Sequence, residues 1–326
     1  MTNVLITGGA GFIGSHMVDR YVHDGHNVVV IDNLSSGRWE NIQPLINTRK
    51  IEYFYHHSIE GGAPNTLIEI MKGYRIETIH HFAARPRVGY SVDYPVESNE
   101  QNISNTVRIL DAARKAGVRR VVYSASSSAY GNSTVFPTSE EQPTGPLSPY
   151  ALQKFVGEEY CRMFSSLYGL DTICLRYFNV FGPRSLADSQ YSAVIPIFIE
   201  QIVKGEIVTV DGTGEQSRDF TYVDNVVQGN LLAATHPGRF KGETVNIACG
   251  DNISINGLVK ELEKLIGKTA NVSNRASRPG DAFKTQADIS RARVMLDYEP
   301  AVSFSKGLKK TVKWYLKYLE GGKLKK

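Results

Sequence analysis

A chain of 326 residues, 41% hydrophobic and 21% charged, is long enough for one large or two small domains and has an ordinary folded composition. Its net charge of +4, concentrated toward Lys309–Lys326, is no broad basic surface and argues against nucleic-acid binding. Three scattered cysteines, Cys161, Cys174 and Cys249, exclude a disulfide frame and a zinc pattern, and with no signal sequence or 18-residue apolar run the expected location is cytoplasmic.

Val4 to Thr7 is short, apolar and β-branched, the pattern of a buried parallel strand. Phe12 to Asp24 has apolar residues at helical spacing. Between them lies Gly8-Gly-Ala-Gly11-Phe-Ile-Gly14. Three glycines at a strand-to-helix joint suit a dinucleotide: one makes the turn, one admits a pyrophosphate to the backbone, and one lets helix and strand pack closely. The phosphates would sit on the helix N-terminus. The next strand, Asn27 to Ile31, ends at Asp32. A carboxylate there would accept the adenosine ribose hydroxyls and repel a 2′-phosphate, which favours NAD over NADP.

A third strand is expected from Ile51 to Tyr55 and a fourth from Glu77 to Phe82, closed by His80 and His81. Neighbouring residues on a strand face opposite sides, so these histidines make poor joint metal ligands, and no metal is expected. Phe82-Ala-Ala84 brings small residues to a strand end, where a cofactor could lie against backbone. One long helix is expected from Val96 to Ala116, ended by Gly117. Asn102 inside it is costly unless its amide is used; simple exposure is the alternative.

The fifth strand, Val118 to Tyr123, runs into Ser124-Ala-Ser126-Ser-Ser128-Ala-Tyr130-Gly131. Such a hydroxyl cluster can hold a reacting group or merely turn the chain. In Ser148-Pro-Tyr150-Ala-Leu-Gln-Lys154, Ser148 is a candidate N-cap and Pro149 a first helical residue. Tyr150 and Lys154 then share a helix face. A cation beside a phenol lowers its pKa, which would make Tyr150 a usable base. After a sixth strand, Thr172 to Tyr177, the strand–helix rhythm changes. A helix from Ala193 to Val203, a strand from Ile207 to Val210, a strand from Thr244 to Ile247 and a helix from Ile255 to Ile266 follow. The fold expected is α/β: a Rossmann doubly wound parallel sheet with a smaller mixed α/β C-terminal substrate lobe. Residues 1–178 are expected to form the NAD-binding domain, rejoined by about 224–247, and 179–326 mainly the substrate lobe.

With these motifs the chain resembles the extended short-chain dehydrogenase/reductase family, and within it the UDP-sugar 4-epimerases of UDP-glucose and UDP-N-acetylglucosamine type. The carrying residues are Thr7 to Gly14, Phe82-Ala-Ala84, the serine cluster ending Tyr130-Gly131, Tyr150-x-x-x-Lys154, Leu175-Arg-Tyr-Phe-Asn-Val-Phe-Gly182, Ser217-Arg-Asp-Phe220 and Arg278-Pro-Gly-Asp281. The resemblance implies that Tyr150 is the acid/base on the sugar 4-hydroxyl, with Lys154 and Ser126 completing the catalytic set. It implies NAD contacts from Gly8, Gly11, Phe12, Ile13, Gly14, Asp32, Asn33, Leu34, Ser35, Ser36, Gly37, Ser58, Ile59, Phe82, Ala83, Ala84, Asn102, Ser124, Tyr150, Lys154 and Phe178. It implies substrate contacts from Arg87, Ser126, Ser127, Ser128, Asn179, Ala193, Val194, Arg218, Arg278, Asp281 and Thr285.

The reaction implied is C4 epimerisation through a 4-keto sugar on permanently bound NAD, by a cytoplasmic isomerase acting as a homodimer. Related dehydratases and decarboxylases carry carboxylates after the catalytic hydroxyl, where this chain has Ser127-Ser128-Ala129. Two departures stand out: Ser58 replaces an adenine-binding Asp, and Arg85-Pro86-Arg87 replaces uncharged residues or a lysine. The arginines keep a UDP-hexuronate 4-epimerase open, unless they only face solvent or pair with acids. A non-enzymatic dinucleotide sensor is disfavoured because both Tyr150 and Lys154 are present. The position of Thr285 holds a bulky Tyr in relatives restricted to glucose and galactose, so a small residue implies room for N-acetylated sugars.

Overall fold

Val4, Leu5 and Ile6 are fully buried, and so are Val28, Val30 and every residue of Thr78–His81. Strands covered on both faces need such continuous apolar runs, and they pair in parallel. The computed structural model describes residues 1–48, 50–56, 58–59, 65–187, 192–276 and 282–321. Its central sheet contains β1 (Asn3–Thr7), β2 (Asn27–Asp32), β3 (Tyr53–His56), β4 (Thr78–His81), β5 (Arg120–Ser126), β6 (Asp171–Tyr177) and β7 (Lys241–Ile247). The order across the sheet is β7-β6-β5-β4-β1-β2-β3, all parallel, with Val4 opposite both Val28 and Thr78. This is a doubly wound Rossmann sheet whose order reverses between β1 and β4, where ligand clefts form beyond the strands' carboxyl ends.

Helices Thr66–Gly73, Asn105–Ala116 and Pro149–Tyr168 cover one face through Ile70, Ile109, Ala113, Cys161 and Phe164. Helices Phe12–His23 and Val223–Thr235 cover the other through Met17, Val18, Val226 and Val227. The second apolar core gathers Phe198, Ile199, Leu258, Leu262, Phe304 and Leu308 from helices Val194–Lys204, Ile255–Ile266 and Phe304–Glu320. Among the described residues, no helix is long and apolar enough to cross a membrane.

Two local expectations need correction, and one strand was not expected at all. The third strand is Tyr53–His56 rather than Ile51–Tyr55. The single helix expected over Val96–Ala116 is interrupted by a π-helical turn, Glu100–Ser104, between Pro95–Asn99 and Asn105–Ala116. Such turns are rare and concentrate at functional sites; here the turn carries Asn102. Strand Asn271–Arg275, parallel to Ile207–Asp211, is exposed at every position and has no apolar alternation to announce it.

Candidate active site

The cleft begins with backbone. A side chain at Gly8, which has φ +70°, would lie 2.7 Å from the Ala83 amide nitrogen, and one at Gly14 would overlap the Gly8 carbonyl oxygen. The loop therefore presses onto β4's exit on one side and tucks the first helix beneath it on the other. Asp32 closes the next strand, almost fully buried. Its Oδ2 accepts the Ala10 amide (2.9 Å) and its Oδ1 the Leu34 amide (2.8 Å). Burial raises its pKa while these amides oppose the rise. Gly37 packs against the same carboxylate, where a Cβ would stand 2.7 Å from Oδ1.

Below this loop, β4's histidines face opposite ways. His80 meets Tyr21 Oη (2.9 Å) and Asn230 (3.2 Å); His81 meets Thr7 (2.7 Å) and Thr106 (3.1 Å). Burial lowers their pKa values to about 4 and about 3, so both are neutral spacers of the core.

The catalytic candidates come from β5 and helix Pro149–Tyr168. Ser148 caps that helix, accepting the Ala151 amide at 3.2 Å, and Pro149 fills the first position, as the sequence indicates. One further turn brings Lys154 over the end of β5, where its Nζ donates to the Ser124 carbonyl (2.7 Å) and lies 5.0 Å from the Tyr123 ring. Ser126 Oγ accepts the Ser128 amide (3.2 Å) and pairs with Ser128 Oγ (2.8 Å), and its hydroxyl is near enough to the Tyr150 phenol to favour the ionised form there. The expectation of a lowered phenol pKa is not met: burial raises Tyr150, with the nearby Ser126 hydroxyl opposing, while Lys154 gives its ammonium to the Ser124 carbonyl. Burial also pulls Lys154 down to about 8, so the helix holds this cation at a cost.

The far wall belongs to the second lobe. Asn179 has φ +33°, and its Nδ2 donates to the Asp219 carbonyl (3.1 Å) and to Thr285 Oγ1 (3.0 Å). Thr285 Oγ1 also accepts the Asp219 amide at 3.2 Å. Asp219 itself is fully buried, accepting the Cys249, Gly250 and Ala287 amides at 3.0–3.1 Å. Burial pushes it up to about 7 against those three donors. One carboxylate thus joins three chain segments behind the far wall, next to the cleft-lining Arg218.

These parts enclose one cleft of about 1120 Å³. Of the residues expected from sequence, it is lined by Gly8, Gly11, Phe12, Ile13, Gly14, Asp32, Asn33, Ser35, Ser36, Ser58, Ile59, Phe82, Ala83, Ala84 and Ser124. Ser126, Ser127, Ser128, Tyr150, Lys154, Arg87, Asn179, Ala193, Arg218 and Thr285 line it too. Leu34, Gly37, Asn102, Phe178 and Val194 stand behind the wall. Asn102 is spent on Gln153 and on the backbone of Arg85, so its amide is used rather than exposed. Arg278 and Asp281 lie outside the described residues. The sequence reading missed Arg38, Gln101, Asn105, Tyr177, Arg184, Ser185 and Leu186, which also line the cleft. Tyr177 was within reach, as the last residue of a strand whose carboxyl end faces the site.

The cradle fits a dinucleotide: glycines at positions 8 and 14 whose Cβ would strike backbone, a helix N-terminus, and a strand-end carboxylate that lines the cleft. The model of the NAD-dependent epimerase/dehydratase family matches residues 4–248. A curated relative, a putative UDP-glucose 4-epimerase of Methanocaldococcus jannaschii, is 36% identical over 312 residues, 95% of this chain and 97% of that one. The crystal structure of a UDP-glucose 4-epimerase from Thermotoga maritima with UDP-glucose matches with a TM-score of 0.91 and 39% identity, covering 98% of this chain and 100% of that one. A UDP-N-acetylglucosamine 4-epimerase from Methanobrevibacter ruminantium, in complex with UDP-N-acetylmuramic acid, matches with a TM-score of 0.91 and 37% identity, covering 97% and 98%. Cleft, fold and family agree: the chain belongs to the NAD-dependent epimerase/dehydratase family and is an enzyme whose cofactor is NAD.

Proposed function

We propose that this enzyme interconverts the C4 epimers of a UDP-hexose through a 4-keto sugar, acting on UDP-GlcNAc/UDP-GalNAc and on UDP-Glc/UDP-Gal. The observation that carries the reading is the meeting of Tyr150, Ser126 and Lys154 in the cleft that also holds the glycine cradle, with Ser127-Ser128-Ala129 in place of a carboxylate. Gly8, Gly11, Gly14 and Asp32 hold NAD, which when bound accepts a hydride and returns it. Tyr150 takes the proton from O4 and gives it back, oriented by the Ser126 hydroxyl. The charge of Lys154 offsets a phenolate at Tyr150 once the ribose shares its donors. Arg218 holds the diphosphate end of the substrate, its guanidinium matching phosphate in charge and geometry, while Asn179, with its amide hydrogens given to the Asp219 carbonyl and Thr285, shapes the wall beside it. Without a carboxylate at 127–129 there is no second base for elimination or decarboxylation.

Thr285 supports the N-acetylated pair: it is a small residue on the cleft wall, where the ketose must turn. A second reading, a UDP-hexuronate 4-epimerase, draws on Arg87, a cation on the wall of the same cleft. Incubating the protein with UDP-Glc, UDP-GlcNAc and UDP-glucuronate and following C4 inversion by NMR separates the readings. Inversion of UDP-glucuronate alone overturns the first. The expected homodimer has a candidate surface in Val92, Val96, Leu152 and Leu167, all at least half exposed on helices; a monomer by light scattering would remove it.

A further inference from the structure

The loop leaving β4 is held at one residue by an unusual amount of hydrogen bonding. The Arg85 amide donates to Asn102 Oδ1 (2.7 Å), and Asn102 Nδ2 donates to the Arg85 carbonyl (3.3 Å). The same Nδ2 donates to Gln153 Oε1 (2.7 Å), and Gln153 sits between Tyr150 and Lys154 on the catalytic helix. The π turn at Glu100–Ser104 puts Asn102 between these partners. From this anchor the Arg85 side chain extends to the loop after β2. Its Nη1 donates to the Ser35 carbonyl (3.1 Å), and its guanidinium carbon lies 5.3 Å from the centre of the Tyr90 ring. Its Nε is buried with no hydrogen-bond partner among the described residues.

We propose that Arg85 is a clasp that retains the cofactor. Asn33, Ser35 and Ser36 form one side of the cofactor trench and Ala83 and Ala84 the other. Arg85 does not itself line the trench, but its bond to Ser35 ties these two sides together, so that the loop after β2 is held to the anchored loop after β4. Leaving requires the bond to Ser35 to open. Arg85 therefore acts by holding the two flanking loops together, a positioning role, rather than by touching the cofactor. The inference rests on the NAD reading of the cleft.

The test is an exchange rate. Wild type, Arg85→Ala and Arg85→Lys are loaded with NAD and diluted into excess etheno-NAD, and incorporation is followed by fluorescence. Arg85→Ala is expected to exchange about 10- to 100-fold faster than wild type, the range for losing one charge-assisted hydrogen bond. Arg85→Lys, which keeps a donor for Ser35 but not the planar fork, is expected between them. Melting of the nucleotide-stripped proteins is the control, with Arg85→Ala expected within about 2 °C of wild type. Equal exchange rates in all three proteins overturn the clasp alone. A wild type that carries no NAD overturns the cofactor reading, and the clasp with it. Should Arg85→Ala melt far below wild type, Arg85→Lys decides by itself: exchange at the wild-type rate overturns the proposal.

Discussion

The two ends of the cleft are built from different materials. The cofactor end is backbone: a turn without side chains, amides turned toward Asp32, and alanines at a strand exit. The end proposed for the sugar is held by side chains: Asn179 on Thr285, with Thr285 in turn holding the Asp219 amide, and Asp219 on three amides from other segments. A backbone site tolerates no added atom but is blind to most neighbours. A side-chain site can be re-cut one residue at a time. A shared cofactor with a variable sugar is what such a division permits.

The sharpest way to separate the ends is to remove the group between them. Tyr150→Phe is expected to lower turnover on the order of 10²–10⁴-fold, the usual loss of a positioned acid/base, with NAD still bound and the fold intact. Steady-state rates and the nucleotide content of the purified variant check both halves. Gly14→Ala attacks the backbone end. The added Cβ would overlap the Gly8 carbonyl, which cannot move without reshaping the turn. Overpacking of this kind costs about 1–3 kcal/mol, so NAD affinity should fall by roughly tenfold to a hundredfold for every sugar alike. Calorimetric titration of the stripped protein measures it, and a loss confined to one sugar would contradict a purely backbone role.

Thr285→Tyr attacks the other end. It adds bulk where a 2-acetamido ketose must rotate, so kcat/KM for UDP-GlcNAc should fall by about tenfold more than for UDP-Glc. Equal losses for both sugars would remove Thr285 as the discriminator. The smallest effect expected is a stability slope. Burial lowers Lys154 to about 8 from 10.5, so below pH 8 the lysine is charged in both states and the fold carries the whole desolvation cost. Between pH 8 and 10.5 the unfolded chain holds more protons, and stability from this group rises with pH by at most about 1.4 kcal/mol per unit. In nucleotide-free protein, the stability difference between Lys154→Met and wild type should therefore shift in favour of wild type as pH rises through that window. Parallel melting curves across it would refute the assignment.

Legibility in the sequence followed the same division. The glycine loop, Asp32 and the Ser148–Lys154 turn are each local in sequence, so spacing carries their geometry; strands β1 and β2 announced themselves as near-continuous apolar runs, whereas β5, expected over Val118–Tyr123, lies at Arg120–Ser126 because the arginines and serines there blur the apolar signal. The π turn was invisible because averaged helical periodicity passes over one extra residue, and its reason, Arg85 and Gln153, lies 17 and 51 residues away. Arg38 and Arg184 reach the cleft by tertiary routes that no spacing records. The pKa relation of Tyr150 and Lys154 was misjudged because proximity on a helix does not say which carbonyl an ammonium will choose.

The seventh strand has a consequence for how the molecule is made. β6 is finished at Tyr177, but its outer edge stays open until Lys241–Ile247 arrives, after the chain has built helix Val194–Lys204 and strand Ile207–Asp211 in the other lobe. The closing strand also brings Thr244 onto Glu158 (3.3 Å), which is already locked to Arg176 (2.7 Å). During synthesis, an open edge and a buried ion pair short of one partner wait for some 60 residues of unrelated structure, at about 5–20 residues per second. The nascent protein therefore spends several seconds with a sheet that is neither short enough to ignore nor complete enough to protect. That interval, more than the stability of the finished fold, is where a chaperone would find this chain.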